Sequence, residues 1–366
     1  MTFKQIDLNI LRRVSEADGI GGCEREVSRI VAEYGAPLCD EIIHDNLGST
    51  IMIKHGSGHG PKVMFSAHMD EVGFMVREIT DAGYIKLLPV GGWWGHVMPA
   101  HELTVTTMTG EKYIGIVGAR APHGLSQKVK NTVIAPMDLF LDMGVKNRQA
   151  ILDLGIQIGD MVTPNTKFRV MNDPDLLCGK GWDDRVNLGT MLEVMRNLEG
   201  VHTDADLYFA ATVQEEVGIR GARTATHTIL PDVAVALDVT TATDTPLDTA
   251  GMKLGGGLVL SMVDHLTLSN PSLIAMMTQI AQANDLDVRY DFMTDGGTDA
   301  CSIHKMLDGV VAMTASLPTR YMHSPRLLIS RTDYEQTIRL LTVFCQQIDW
   351  QHLDGMKQAI GIQAHQ

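Results

Sequence analysis

Three apolar runs in this chain stop abruptly at acidic or imidazole side chains. Val63 to Ala67 gives way to His68 and Asp70, Leu207 to Val213 to Glu215 and Glu216, and Val233 to Leu237 to Asp238. A fourth run, Val310 to Ala315, leads into a loop bearing His323, and Asp183-Asp184 stands just before a helical pattern. Short apolar runs alternating with helical periodicity read as an α/β sheet covered by helices on both faces. In open sheets of that kind ligands gather at the carboxyl ends of the strands. Carboxylates crowded there without cations would repel one another and be costly to bury. His, Asp and Glu without Cys are the donors expected of a hydrolytic Zn, Co or Mn centre. Two ions roughly 3.5–4 Å apart need one bridging carboxylate and about two further ligands each. One bridging Asp, two His and two further carboxylates would meet that count.

The flanking patterns supply the rest of the architecture. Leu8, Leu11 and Val14 share one helical face, and Val27, Ile30, Val31 and Tyr34 another, with Gly19-Ile20-Gly21-Gly22 between them. Strands are expected over Ser49 to Ile53 and Lys62 to Ala67. From about Gly73 to Pro164 helical periodicity fades, and β-rich runs such as Leu103 to Met108 and Tyr113 to Val117 are separated by turn signals. This stretch reads as a small β domain (71–164) inserted into a domain made of residues 1–70 and 165–366. Within it the polar segment Ala119 to Asn131 reads as a mobile loop. A helix with Leu188, Met191, Leu192, Met195 and Leu198 on one face follows, then one starting near Pro271, and a closing helix from about Asp333.

At 366 residues two domains are expected. The formal charge of −14 argues against nucleic acid, which needs concentrated Lys and Arg. No apolar stretch approaches a membrane span and the first residues lack a signal-peptide core, so a cytoplasmic protein is expected. The five cysteines are scattered, with no CxxC pair, which suits a reducing compartment and a structural role.

His68-Met69-Asp70-Glu71-Val72-Gly73, Trp182-Asp183-Asp184-Arg185, Thr212-Val213-Gln214-Glu215-Glu216-Val217-Gly218, Ala236-Leu237-Asp238 and Arg320-Tyr321-Met322-His323-Ser324-Pro325 together resemble the motifs of the M42 family of aminopeptidases. They occur in family order and nearly span the chain. The resemblance implies a catalytic α/β domain interrupted by a β-barrel-like dimerisation domain, with dimers building a tetrahedral dodecamer. It implies two divalent metal ions per subunit, with zinc favoured over cobalt or manganese. Asp183 would bridge them, His68 and Asp238 would complete one site, and Glu216 and His323 the other. Glu215 would be the general base, and Asp70 would orient the His68 imidazole. The peptide bond after Asp183 would be cis. Gly297, Thr298 and Asp299 match a motif close to the substrate pocket, the substrates being short peptides; a preference for acidic side chains would need a cation there, for which Arg220, Arg223, Lys253 and Arg320 are candidates.

Two positions depart from the family pattern: Trp182 stands where Leu or Phe is expected, and Asn187 where Gly is expected. Taken singly, each motif has a plainer reading. A lone His is more often a surface or core residue than a ligand, Glu215-Glu216 could be a solvated turn, and Asp183-Asp184 a helix cap. The paired tryptophans Trp93-Trp94 read as β-domain core or as a subunit contact, with the contact favoured. The 22 methionines read as core filler. Rival activities are carboxypeptidase or N-acyl amino acid deacylase chemistry, glycan hydrolysis, and a purely structural shell protein.

Overall fold

The structure is a computed structural model that describes residues 3–248, 251–293 and 295–362. Four parallel strands form its centre, in the spatial order Asp206–Thr212, Lys62–His68, Val233–Thr241 and Val311–Arg320. Antiparallel strands extend both sides into an eleven-stranded sheet. Alternate residues of each central strand face opposite ways, as strand geometry requires. Phe65 and Phe209 point to one face, where their rings stack at 5.2 Å and Phe344 meets Phe65 edge-on at 6.1 Å. Met64, Tyr208 and Ala210 point to the other face, beneath Ala222, Ala225 and Ile229 of the helix Arg220–Ile229. The larger core lies on the first face, under the helices Leu8–Glu16, Trp182–Asn197, Pro271–Ala283 and Arg331–Gln347. The expected closing helix is two: Asp349 caps a second one, Trp350–Ala359.

Six antiparallel strands between Gly73 and Pro164 close into a barrel, which leaves no edge strand free to pair. Phe74, Val76, Leu87, Val105, Leu141 and Val162 fill it. The β-rich texture of this stretch is explained by that closure. The segment expected to be an open loop, Ala119 to Asn131, carries a 3₁₀ turn at Pro122–Gly124 and a short helix at Gln127–Lys130. The tryptophan pair divides. Trp93 stacks on Phe74 at 5.2 Å and its indole N–H donates to the Gly73 carbonyl, whereas Trp94 is exposed.

A buried ionic cluster joins barrel, sheet and N-terminal segment. Lys180 donates to Asp18 at 2.5 Å and to Glu71 at 2.8 Å, and Arg185 lies 3.0 Å from Glu71. Arg185 also donates to the backbone carbonyls of Ala17, Gly19 and Met69. From the barrel, Lys112 pairs with Asp18 at 2.6 Å and the Thr163 hydroxyl donates to the same carboxylate at 2.6 Å. Burial alone would raise the Asp18 carboxyl, but the charges of Lys180 and Lys112 outweigh it and hold the group well below the usual range. Its contribution to stability is therefore present above about pH 4 and fades as the pH falls further. Replacing Lys180 with Met removes the one cation that Asp18 and Glu71 share, leaving Asp18 to Lys112 and Glu71 to Arg185, and should lower the unfolding free energy by about 3 kcal/mol in urea denaturation at neutral pH. Lys112→Met, which removes a half-exposed ammonium, should cost clearly less.

Candidate metal centre

The carboxyl ends of the parallel strands bring distant residues to one point. His68 ends its strand directly opposite Thr212, and Asp238 lies farther along the next strand. Glu215 and Glu216 follow Thr212 in a tight turn, with the N–H groups of Gly218 and Ile219 both bonded to the Glu215 carbonyl. The strand Val311–Arg320 runs into a turn in which Tyr321 and His323 take left-handed backbone angles, φ 65° and 54°. Non-glycine residues adopt this region rarely, and often at functional sites. Asp183 and Asp184 open the helix Trp182–Asn197 in non-helical conformation, joined by a cis peptide bond as the family resemblance implies.

Asp183 is the centre of the arrangement. Its Oδ1 lies 3.2 Å from His68 Nε2, and its Oδ2 lies 3.4 Å from His323 Nε2. Glu216 approaches His323 Nε2 at 3.7 Å, and Glu215 approaches His68 Nε2 at 4.0 Å. His68, Asp183 and Asp238 each offer an atom within 4.8 Å of the others, and so do Asp183, Glu216 and His323. Two ligand groups thus share Asp183.

The donors fit a pair of divalent cations. Two imidazoles and three carboxylates converge, with no thiol among them, as hard or borderline ions prefer. Glu216 Oε1 and Asp184 Oδ2 are buried without a hydrogen-bond partner, which is expensive unless a cation compensates. Burial, then the neighbouring Asp183 charge, pushes Glu216 up to about 8 and Asp238 well above the carboxylate range. Burial, followed by the Asp238 and Glu216 charges, raises Glu215 in the same way. Asp183 moves oppositely: burial would raise it, but hydrogen bonds from His323 and His68 hold it well below its usual value. His323 rises to about 9, its burial outweighed by Asp183 and Glu216.

The backbone holds one histidine and lies against the other. His68 Nδ1 bonds the Asp70 backbone carbonyl at 2.8 Å, which leaves Nε2 facing Asp183. The expected orienting role of Asp70 thus falls to its main chain. Its carboxylate, 3.7 Å from that imidazole, instead accepts the backbone N–H of Glu215 at 3.0 Å and of Glu216 at 3.1 Å. Gly92, in the segment that follows the barrel strand Tyr84–Val90, lies against the His323 ring: a Cβ on it would sit 3.1 Å from His323 Nδ1. Nothing in the sequence marks that contact.

Asn187 was visible as a departure, and its position explains the amide. Its nitrogen donates to Asp184 Oδ1 at 2.6 Å and to the Asp238 carbonyl at 2.7 Å, tying both acidic segments together. Trp182 is fully buried and meets Phe168 edge-on.

The residues expected near substrate are placed less simply. Thr298 is buried, its hydroxyl 2.8 Å from Thr314 and 3.3 Å from Asp264, so its side chain faces the interior rather than a pocket. Asp299 is also buried and accepts from the Thr212 hydroxyl at 2.7 Å, behind Glu215 and Asp238. Gly297 packs against Cys301. Arg320 is paired twice with Asp244, both contacts at 2.7 Å, so its charge is already matched. All five cysteines are free. Among the described residues no helix is long and apolar enough to cross a membrane.

Comparisons with known proteins bear on the family and the fold. A family model described as M42 glutamyl aminopeptidase matches residues 48–340. The chain is 32% identical to the lysyl aminopeptidase of Pyrococcus furiosus, covering 94% of this chain and 98% of that protein. Among solved structures it is similar to a TET aminopeptidase from a marine-sediment Thaumarchaeota archaeon, at 32% identity with a TM-score of 0.91 over 95% of this chain and 98% of that one. It is also similar to the Pyrococcus horikoshii TET1 peptidase, described as assembling into a tetrahedron or a large octahedral shell, at 28% identity and a TM-score of 0.84 over 93% and 99% of the two chains. The chain belongs to the M42 peptidase family and is a hydrolase of the aminopeptidase kind.

Proposed function

We propose that this protein removes the N-terminal residue from short peptides at a dimetal centre in which Asp183 is the bridging ligand. One observation carries the reading: the two oxygens of Asp183 face two different histidines, each backed by a further carboxylate. His68 and Asp238 would hold one divalent cation, Glu216 and His323 the other. Such a pair supplies Lewis-acid polarisation of the scissile carbonyl and an acidified water. Glu215 is the general base: its carboxylate lies 4.0 Å from His68 Nε2 and belongs to neither ligand group. It takes the proton from the attacking water and returns it to the leaving amine. The ligand set suits zinc, cobalt or manganese alike.

The paired charge of Arg320 bears on side-chain preference. A pocket for acidic side chains needs a free cation, and this guanidinium is already matched by Asp244. The free cysteines suit a cytoplasmic setting.

The barrel's outer face favours self-association. Ile114 and Ile116 point outward from the strand Lys112–Val117, Phe140 exposes its ring on the strand beside it, Phe140–Asp142, and Tyr84 on the next one, Tyr84–Val90. Adjacent exposed apolar side chains of this size mark a contact surface. We take that surface as the dimer contact, with dimers assembling into a dodecamer as tetrahedral relatives do.

Glu215→Gln should fold, retain metal and lose at least about a hundredfold in kcat. A metal-loaded variant with normal turnover of aminoacyl-nitroanilides would remove Glu215 from the mechanism.

In the metal-free protein Glu216, raised to about 8, is largely protonated at neutral pH. Metal uptake should therefore release protons, and affinity should climb between about pH 6 and 8 as fewer must be displaced. Calorimetry in buffers of different ionisation enthalpy reads both effects.

Ile114→Lys with Ile116→Lys should shift the protein to a smaller species by light scattering. An unchanged mass would place the contact elsewhere.

A further inference from the structure

We infer that Glu24 is a positioning residue for the general base: with Asp70 it clamps the backbone of residues 214–216, from which the Glu215 and Glu216 side chains project. The inference rests on the dimetal reading above. Three consecutive backbone N–H groups are taken by two carboxylates from elsewhere in the chain. Glu24 Oε1 accepts from Gln214 at 3.0 Å, and the two oxygens of Asp70 accept from Glu215 and Glu216. Gln214 needs such a hold because its φ is 57°, in the left-handed region that a non-glycine residue keeps only when its surroundings enforce it.

Glu24 has a local job available and does not do it. It precedes the helix Arg25–Gly35 as N-cap residue, yet its side chain makes no capping hydrogen bond there. The same Oε1 instead accepts the Gly22 N–H at 2.9 Å, which fixes the carboxylate within its own turn and aims it at Gln214. That turn packs closely against the catalytic loop. A Cβ on Gly21 would lie 3.1 Å from Val217 and 3.3 Å from Asp70 Oδ2, so any side chain there would press on the loop. The glycine-rich break between the first two helices is thereby a brace for the catalytic loop. Burial, then the Asp70 charge, raises the Glu24 carboxyl to about 7, so its place beside Asp70 is not one chosen for the comfort of its charge.

The consequence is geometric. Freeing Gln214 lets the loop relax and displaces Glu215 from the attacking water, which lowers turnover more than substrate binding. Glu24→Ala, Glu24→Asp and Glu24→Gln are compared with wild type in one peptide assay at a fixed divalent metal. Circular dichroism, thermal melting and chelator competition accompany the kinetics. Glu24→Ala should lose on the order of 10- to 100-fold in kcat with KM within about twofold of wild type. It should also yield one of its two ions at a lower chelator concentration. Glu24→Gln, whose amide oxygen accepts the same two N–H groups, should recover most of the loss, and Glu24→Asp, one methylene too short, should not.

A folded Glu24→Ala with unchanged kcat overturns the inference, and so does a Glu24→Gln that falls as far. If Glu24→Ala does not fold, Glu24→Asp decides: wild-type kcat there is equally fatal. A wild-type enzyme inactive on every peptide with every metal sinks the aminopeptidase reading instead. Glu24 is then judged by chelator competition alone, where an unaltered release of both ions overturns it.

Discussion

Five carboxyl groups, on Asp183, Asp184, Glu215, Glu216 and Asp238, lie within or beside one small cluster containing only two imidazoles, and most of this structure can be understood as the means of keeping them there. In water they would separate; buried, they resist ionisation. The response of the individual groups shows the imbalance. Asp183, bonded by both histidines, stays ionised, whereas Glu216 and Asp238, lacking equivalent partners, are pushed toward the neutral form. Cations resolve that imbalance, because they reward the same crowding that protons otherwise relieve.

Crowding of this kind needs a scaffold that does not yield. The parallel strands supply fixed starting points, since Thr212 and His68 are register partners and cannot drift apart without breaking the ladder. Beyond the strand ends the chain is irregular, and there the work passes to side chains that bond backbone. Asp70 and Glu24 hold the Glu215-Glu216 turn, Asn187 holds Asp184 to the Asp238 strand, and Arg185 holds three carbonyls at once. Polar networks buried this deeply are costly when half satisfied and rigid when complete. Here their rigidity sets distances around the cluster.

How much of this the sequence discloses depends on the range of the contact. The apolar runs and their polar ends are local, and they mark the central strands and the acidic and imidazole groups at their ends, whereas the assignment of those groups to a ligand set rests on the family resemblance. Helix and strand boundaries shift by a residue or two, as at Thr50–Lys54 against an expected Ser49 to Ile53. Asp70 shows where pattern stops being enough. Spacing puts it beside His68, but only the fold reveals that its carbonyl serves the imbalance-free task of orienting the ring while its carboxylate reaches a turn some 145 residues away. Glu24, Gly92 and Lys180 act across similar separations, and no periodicity encodes such partners. Thr298 and Asp299 follow the same rule in reverse: the motif is local, but which way its side chains face depends on Thr314, Asp264 and Thr212, which are not.

Two of the barrel's contacts with the rest of the chain differ in kind. Lys112 and Thr163 meet Asp18 in the buried ionic cluster, a contact that resists separation of the two parts. Gly92 lies against the imidazole of His323, close enough that a Cβ there would crowd Nδ1. A barrel tied only by the first would be anchored without affecting the site; one tied only by the second could disturb a metal ligand whenever it moved. Together they make the position of the barrel part of the definition of the site. Anything that shifts the barrel therefore changes the surroundings of His323 as well as the buried ionic cluster.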